Sequence, residues 1–134
     1  MKARGEGTPP VAVVLCTAPR QAAPGKLAAH DLARQLVAER LCACANVLDG
    51  VTSFFWWEGA VDRADEVLLV LKTTRAALPL LQRRIVELHP YAVPEVLAVD
   101  VAHGLPSYLQ WLVAAVAAPG AAPGQSPAAG ERSG

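Results

Sequence analysis

Three cysteines, Cys16, Cys42 and Cys44, are the residues of this 134-residue chain with the most specific chemistry. Thiolates suit soft Cu(I), and a site for that ion needs two or three such ligands with an imidazole nearby. Cys42 and Cys44 form a Cys-x-Cys pair, and two such side chains share one face of a strand only where the pleat is regular. The odd number of cysteines, without a Cys-x-x-Cys pair or a histidine cluster, disfavours a disulfide framework and a structural zinc site.

Cys16 also has a simpler interpretation, because it ends an apolar run that is typical of a buried strand. Cysteine in such a place usually packs as a small hydrophobic residue, so we favour packing over metal binding. A nucleophilic role would require a base, and no motif fixes a histidine or an orienting acid beside Cys16. The chain has neither a nucleophile elbow nor a phosphate loop. We therefore expect a protein that is not an enzyme and that binds no organic cofactor.

Other polar residues have two interpretations each. His89 and His103 are predicted in loops, where a histidine is more often solvated or capping than functional. Lys72 and Arg75 lie near a strand end and a helix start and could hold an anion, although a surface pair is the simpler interpretation. Four acidic residues could offer hard oxygen ligands to a cation, but we favour a solvated hairpin tip. These four are Glu58, Asp62, Asp65 and Glu66.

Hydrophobic periodicity predicts the elements that carry these residues. Residues 11–17 form an uninterrupted apolar run, as expected of a central strand covered on both faces. From residue 27 the apolar residues follow a helical period, which predicts an amphipathic helix. A second helix is expected to run to about residue 88, with Pro79 in its first turn. Residues 96–101 predict the last strand, and a capping-box pattern at Ser107 predicts a short final helix.

The aromatic segment 52–59 is predicted to be a strand that reverses around residues 62–65 and returns as residues 67–73. Residues 41–48 before it are also extended. Asp49-Gly50 lies between the two extended segments and fits either a hairpin turn or a β-bulge. We favour the bulge, because it leaves one long hairpin and an even number of strands.

The predicted order of elements is the split β-α-β, or ferredoxin-like, α+β arrangement. It has a four-stranded antiparallel sheet with two helices on one face, a long hairpin between the second and third strands, and a short C-terminal helix. The other face would be a large exposed apolar patch, so we expect further copies of the chain to bury it. Trp57, Tyr91 and Trp111 are accordingly interpreted as interface or core residues rather than as a ligand cage.

Composition sets the remaining bounds. We expect residues 1–10 to be a flexible leader, 11–116 to be one domain, and 117–134 to be a disordered tail rich in Ala, Pro and Gly. A hydrophobic content of 53% supports a real core, and a net charge of zero provides no broad basic face for nucleic acid. The apolar run at residues 11–16 is too short to cross a membrane. Three sparse cysteines fit reduced thiols, so we expect a cytoplasmic protein.

Six segments, in matching order and spacing, resemble the CutA-type divalent-cation tolerance proteins. They are residues 14–19 (VLCTAP), 41–46 (LCACAN), 57–59 (WEG), 66–74 (EVLLVLKTT), 89–95 (HPYAVPE) and 104–112, which contain a glycine followed by YLQWL. Each segment alone is a weak signal, and together they are specific. The resemblance covers residues 11–112 and implies a ferredoxin-like homotrimer whose long hairpins wrap neighbouring subunits.

The resemblance also implies an association with copper and other divalent cations. Cys16 matches a cysteine proposed as a copper ligand in the family, Cys44 matches another family position, and Cys42 is additional. We therefore expect copper or another divalent cation to be bound through Cys16, Cys44 or His89. Some relatives carry two adjacent histidines where this chain has Leu88 and His89, so a two-histidine site is not transferred.

A second hypothesis follows from the similarity of that family to PII-type signalling trimers, which carry ligands in the clefts between subunits. In this hypothesis the chain is a regulatory or scaffold trimer that binds a small anion or a protein partner. The expected cleft residues are Trp57, Glu58, Lys72, Tyr91 and Glu95.

Overall fold

The structure, a computed structural model, describes residues 9–117. The predicted leader and tail therefore lie almost entirely outside the described residues. The elements in chain order are β1 Val11–Ala18, α1 Ala29–Ala38, β2 Cys44–Trp57, β3 Ala60–Thr74, α2 Leu78–Leu88, β4 Leu97–Asp100 and α3 Pro106–Ala115. A single 3-10 turn, Arg75–Ala77, leads into α2, and proline stands in the first turn of α2 as predicted.

The four strands form one antiparallel sheet with the order β2-β3-β1-β4. β1 and β3 are the central strands, and β2 and β4 are the two edges. A mixed α+β fold with a four-stranded antiparallel sheet and three helices was predicted from the sequence, and the structure confirms it. The strand order is the one that the split β-α-β arrangement requires.

One face of the sheet is covered by α1 and α2. Alternate residues of the two central strands point into this core, because successive side chains of a strand point to opposite faces. The strand residues are Val14, Cys16 and Ala18 of β1 and Val67, Leu69 and Leu71 of β3. Leu32 and Leu36 of α1 and Leu81 and Ile85 of α2 cover them. All ten side chains are fully buried.

α3 packs at one end of the sheet, where Leu112 and Val116 join Val11 and Ala77 in a smaller apolar cluster. The predicted capping box at its start is wrong. Leu105 is the residue that precedes the helix, and no side chain caps the first turn. Pro106 occupies the first turn instead, so Ser107 is already inside the helix.

The long hairpin contains the predicted bulge. Pairing of β2 with β3 shifts between Leu48 and Val51, and Gly50 has a φ of +78°. The predicted reversal at residues 62–65 is wrong, because the chain turns at Glu58 and Gly59, whose φ values are +49° and +83°. Positive φ at both turn residues matches the twist of the flanking strands, and glycine adopts it without strain. Residues 62–65 lie instead within β3.

The face of the sheet opposite α1 and α2, here called the open face, is apolar. Val13, Leu15, Leu68 and Val70 of the central strands lie on it and are half-buried, as the alternation of burial along β1 and β3 shows. Leu48, Leu97 and Val99 on the edge strands are 47%, 57% and 57% exposed. The far part of the hairpin is also apolar and exposed on both of its faces, with Phe54 and Trp56 (69% and 76% exposed) on one face and Trp57 (60% exposed) on the other.

Candidate functional site

Cys16 lies at the end of β1 inside the helix-covered core, and its side chain is fully buried. Burial, together with the smaller effects of the negative charges of Glu95 and Glu66, raises the pKa of this thiol to about 12. The sulfur lies 3.8 Å from the carbonyl oxygen of Thr17. Because the thiolate is the form that binds soft metal ions, a neutral buried thiol is a poor ligand.

Cys44 lies on the other side of the sheet. Residues paired directly across antiparallel strands point to the same face. Cys16 pairs with Leu69, and Cys44 pairs with Lys72. Leu69 and Lys72 are three residues apart on β3, so their side chains point to opposite faces. Cys16 and Cys44 therefore cannot bind one metal ion within a single copy of the chain.

Cys42 belongs to the helix-covered core, and its side chain is 1% exposed. Burial is the main cause that raises the pKa of its thiol to about 12. Strand β2 begins only at Cys44, so the Cys-x-Cys pair does not lie on a regular pleat. The two thiols point to different environments and do not form a chelating pair.

Cys44 has polar neighbours on the open face. The ammonium group of Lys72 lies 3.9 Å from the Cys44 sulfur and donates a hydrogen bond to the side-chain oxygen of Asn46. Cys44 is also the only one of the three cysteines, all within the described residues, that is not fully buried. On the helix-covered side of the sheet, a groove of about 470 Å³ between α1 and the edge strand β2 includes Cys44 in its lining.

His89 follows the last residue of α2 and is fully buried. Its Nε2 atom lies 2.8 Å from the carbonyl oxygen of Thr17, and its Nδ1 atom lies 3.0 Å from the backbone nitrogen of Tyr91. A carbonyl oxygen only accepts and a backbone N–H only donates, so Nε2 carries the proton and Nδ1 accepts. Burial lowers the pKa of His89, which favours this neutral ring.

Tyr91 extends the same arrangement to an acidic residue. Its hydroxyl lies 2.8 Å from a carboxylate oxygen of Glu66 and donates to it, and its ring lies 4.8 Å from the His89 ring. Burial raises the pKa of Tyr91 to about 12, and the hydrogen bond and charge of Glu66 act in the same direction. Glu66 is only 6% exposed, whereas Tyr91 is 37% exposed. The pair thus consists of a buried carboxylate and a partly exposed tyrosine that is hydrogen-bonded to it.

Glu66 was predicted at a solvated hairpin tip, and its pairing with Tyr91 was not predicted. The face of the sheet on which Glu66 lies was nevertheless predictable, because Glu66, Leu68 and Val70 are alternate residues of β3 and share one face. The first residue of the β1–β3 pairing along β3 is Val67, so Glu66 lies just beyond the end of β1. The loop that carries Tyr91 fills this space, and sequence spacing did not indicate that contact.

The predicted cleft residues are spread along β3. Trp57 pairs with Ala60 at the hairpin turn, and Lys72 pairs with Cys44 at the other end. Glu66, with Tyr91, lies six residues from each of Ala60 and Lys72. Six residues of strand span about 20 Å. One copy of the chain thus brings Tyr91 to Glu66, but it does not bring Trp57, Tyr91 and Lys72 together.

The remaining predicted positions are exposed. Glu58 is the first residue of the hairpin turn, and Glu95 lies in the loop before β4, where its charge acts on Cys16. Within residues 9–117, no three side chains of His, Cys, Asp or Glu are grouped so that they could hold a metal ion. The residues of a single copy therefore do not fit a copper site built from Cys16, Cys44 and His89.

These features define an α+β protein whose antiparallel sheet is covered by helices on one face and apolar on the other. The CutA1 divalent ion tolerance protein family matches residues 12–115. The Divalent-cation tolerance protein CutA of Thermus thermophilus is 45% identical over 100 residues, which are 75% of this chain and 92% of that protein. This chain belongs to the CutA1 divalent ion tolerance protein family.

Two further comparisons agree. The Divalent-cation tolerance protein CutA of Citrobacter koseri is 44% identical over 108 residues, which are 81% of this chain and 90% of that protein. The crystal structure of CutA1 from Oryza sativa superposes with a TM-score of 0.74 at 35% identity, covering 82% of this chain and 96% of that one.

Proposed function

We propose that this chain works as a homotrimer in tolerance of divalent cations. The observation that carries the proposal is the uncovered apolar surface made of the open face and the far part of the hairpin. Burial of apolar area is the main favourable term in association, and monomeric proteins rarely expose a patch of this kind. The number of three copies comes from the family resemblance, in which the long hairpins wrap neighbouring subunits.

Copper or a related cation is the proposed ligand of this assembly. Cys44 is the best supported thiol, because it is partly exposed on the open face, whereas Cys16 and Cys42 are buried. One thiol does not make a site for Cu(I). We therefore propose that Cys44 binds the cation together with ligands from neighbouring copies.

A titration with Cu(I) tests this role of Cys44. We expect wild type and Cys16→Ala to bind similar amounts of Cu(I), because Cys16 is buried and neutral. Cys44→Ser should lose most of the binding while it keeps the same subunit number. Equal uptake by Cys44→Ser and wild type would contradict the proposal, and so would loss of binding in Cys16→Ala alone.

The second candidate is a regulatory or scaffold trimer of the PII kind, which binds a small anion or a protein partner between subunits. The observation that favours it is the separation of Trp57, Tyr91 and Lys72, since a pocket that contains all three requires more than one copy. Mass spectrometry of the purified assembly under native conditions distinguishes the two candidates. A retained metabolite would favour the regulatory trimer, and a retained metal ion would favour cation binding.

We further propose that the protein is not an enzyme and that it acts in the cytoplasm. Two observations support the first statement. The buried thiol of Cys16 is neutral and therefore a poor nucleophile. The unprotonated Nδ1 of His89, which could act as a base, already accepts a hydrogen bond from the Tyr91 N–H. None of the helices within residues 9–117 has the length and apolar character that a membrane crossing requires. A net charge of zero argues against nucleic acid as a partner.

A further inference from the structure

We propose that His89 positions Tyr91 against Glu66 and does not bind metal. The family resemblance suggests His89 as a metal ligand, and the geometry around its ring points to a different role. This inference goes beyond the proposed function, because it depends on the fold of one copy and not on the number of copies or on the cation.

Both ring nitrogens of His89 are already in use. Nε2–H donates to the carbonyl oxygen of Thr17, and Nδ1 accepts from the backbone N–H of Tyr91. A metal ion needs an unprotonated ring nitrogen with a free lone pair. Binding at either nitrogen would break one hydrogen bond and leave the Thr17 carbonyl or the Tyr91 N–H without its partner beside a fully buried ring.

The residues nearest to His89 do not complete a metal site. Cys16, one residue before Thr17, is a thiol whose pKa is raised by burial and, to a lesser degree, by the charges of Glu95 and Glu66, so it stays neutral. The charged side chains that act on the His89 ring are Glu66 and Lys26, of opposite sign. Glu66 accepts a hydrogen bond from the hydroxyl of Tyr91. The carboxylate whose charge acts on the ring is therefore already hydrogen-bonded to a tyrosine.

The backbone explains how His89 controls Tyr91. The N–H of His89 donates to the carbonyl of Ile85, which ties the residue to the last turn of α2. The ring bond to Thr17 ties it to the end of β1. The bond from Tyr91 N–H to Nδ1 then closes a turn two residues long, and the two rings pack at 4.8 Å with an angle of 50°. These contacts hold the Tyr91 hydroxyl at the Glu66 carboxylate.

Nitrogen NMR of the ring tests the assignment in the wild-type assembly. Before metal is added, Nε2 of His89 should resonate as a protonated nitrogen and Nδ1 as an unprotonated one. Addition of Cu(I), the probe in this experiment, should leave both signals in place even when other residues respond. A shift of either His89 nitrogen to the position of a metal-bound imidazole would overturn the assignment.

Two matched variants test the positioning role. In His89→Asn the side-chain oxygen stands near the position of Nδ1 and can still accept from Tyr91 N–H. In His89→Gln the side-chain nitrogen stands near the position of Nε2 and can donate only to Thr17. We expect His89→Asn to keep slow hydrogen exchange at the Tyr91 amide and His89→Gln to speed it by at least tenfold. Equally slow exchange in both variants would overturn the positioning role.

The metal readout separates this inference from the proposed function. Cu(I) binding that is unchanged in both His89 variants and lost in Cys44→Ser supports both statements. Cu(I) binding lost in His89→Asn, whose Tyr91 amide remains protected, would overturn the inference and would leave the homotrimer untouched.

Discussion

His89 shows how burial decides the chemistry of a residue that the sequence alone left open. A histidine in a predicted loop has access to water, a proton or a metal ion. In the structure its ring is fully buried, and each nitrogen has one fixed partner. Cys16 shows the same effect, because burial and nearby carboxylates raise its pKa to about 12. Residue type predicted metal ligands at Cys16 and His89, whereas burial of the two side chains favours neutral, packed groups.

The pH dependence of stability follows from His89. Burial and the charge of Lys26 lower the pKa of His89 below 6.5, although the Thr17 carbonyl and Glu66 oppose the shift. Below about pH 6.5 the unfolded chain therefore binds a proton that the folded chain resists. The free energy of unfolding should decrease as the pH falls below that value and through the lower pKa of the folded state.

Urea unfolding between about pH 7 and pH 5 measures this effect. In His89→Asn the loss of stability at acidic pH should be smaller than in wild type, because the group that gains the proton is gone. His103→Asn, which removes an exposed histidine, is the control and should keep the wild-type slope. An unchanged slope in His89→Asn would show that another group is responsible.

At the scale of elements, Arg40 joins α1 to α3. Its φ of +61° is in the left-handed region, and it ends α1 with bonds from its N–H to Val37 and from Leu41 N–H to Leu36. This is the pattern of a Schellman motif, which usually has glycine at this position. The guanidinium compensates for the cost of this left-handed conformation, because it donates hydrogen bonds to the carbonyl oxygens of Ala114 and Ala115 at 3.1 and 3.0 Å. A positive charge at the C-terminus of α3 is also favourable.

Replacement of Arg40 separates these two effects. Arg40→Ala should lower the free energy of unfolding by about 1.5–3 kcal/mol, because it removes charged donors from α3 and keeps the strained backbone. Arg40→Gly loses the same donors but relieves the left-handed strain, so it should be about 1 kcal/mol more stable than Arg40→Ala. Chemical denaturation of both variants gives the difference. Arg40→Gly that is less stable than Arg40→Ala would contradict this account of the turn.

The helices and strands were predictable from sequence patterns. The hairpin shows which features those patterns did not predict. Asp49-Gly50 indicated a bulge, and the register shift between Leu48 and Val51 confirms it. The hairpin turn was misplaced because the charged segment 62–65 looked more like a reversal than Glu58-Gly59. Only the positive φ of both turn residues, which a non-glycine residue must also adopt here, selects the two-residue turn.

The candidate site was less predictable than the fold. Residue types identified Cys16, Cys44 and His89, but the face on which each side chain lies depends on the strand register. Cys16 and Cys44 separate because their partners on β3 differ by an odd number of residues. The Tyr91–Glu66 contact depends on how a loop folds over the end of β1, and no periodic pattern specifies a loop path.

At the scale of the whole molecule, the aromatic side chains of the hairpin remain exposed to water within one copy of the chain. Phe54 and Trp56 lie on one face of it and Phe55 and Trp57 on the other, since side chains alternate along β2. All four side chains are exposed. The open face adds apolar residues from all four strands of the sheet. The proposed assembly with other copies would remove both surfaces from water.

Removal of one aromatic side chain should therefore affect assembly more than the fold of a single copy. Trp57→Ala should weaken association by about 3–5 kcal/mol, as expected for a large aromatic residue at the centre of an interface. Val86→Ala, at a 46% exposed position on α2, is the control and should leave association unchanged. Sedimentation equilibrium over a range of concentrations measures both. Equal association constants for Trp57→Ala and wild type would exclude Trp57 from the interface.

The mass of the native assembly at micromolar concentration is the most direct test of the central statement that copies of this chain cover its open face and hairpin. One chain has a mass of 14.0 kDa. Native mass spectrometry should give a species of three chains, together with any bound cation or metabolite. A well-folded single chain as the only species would contradict the account.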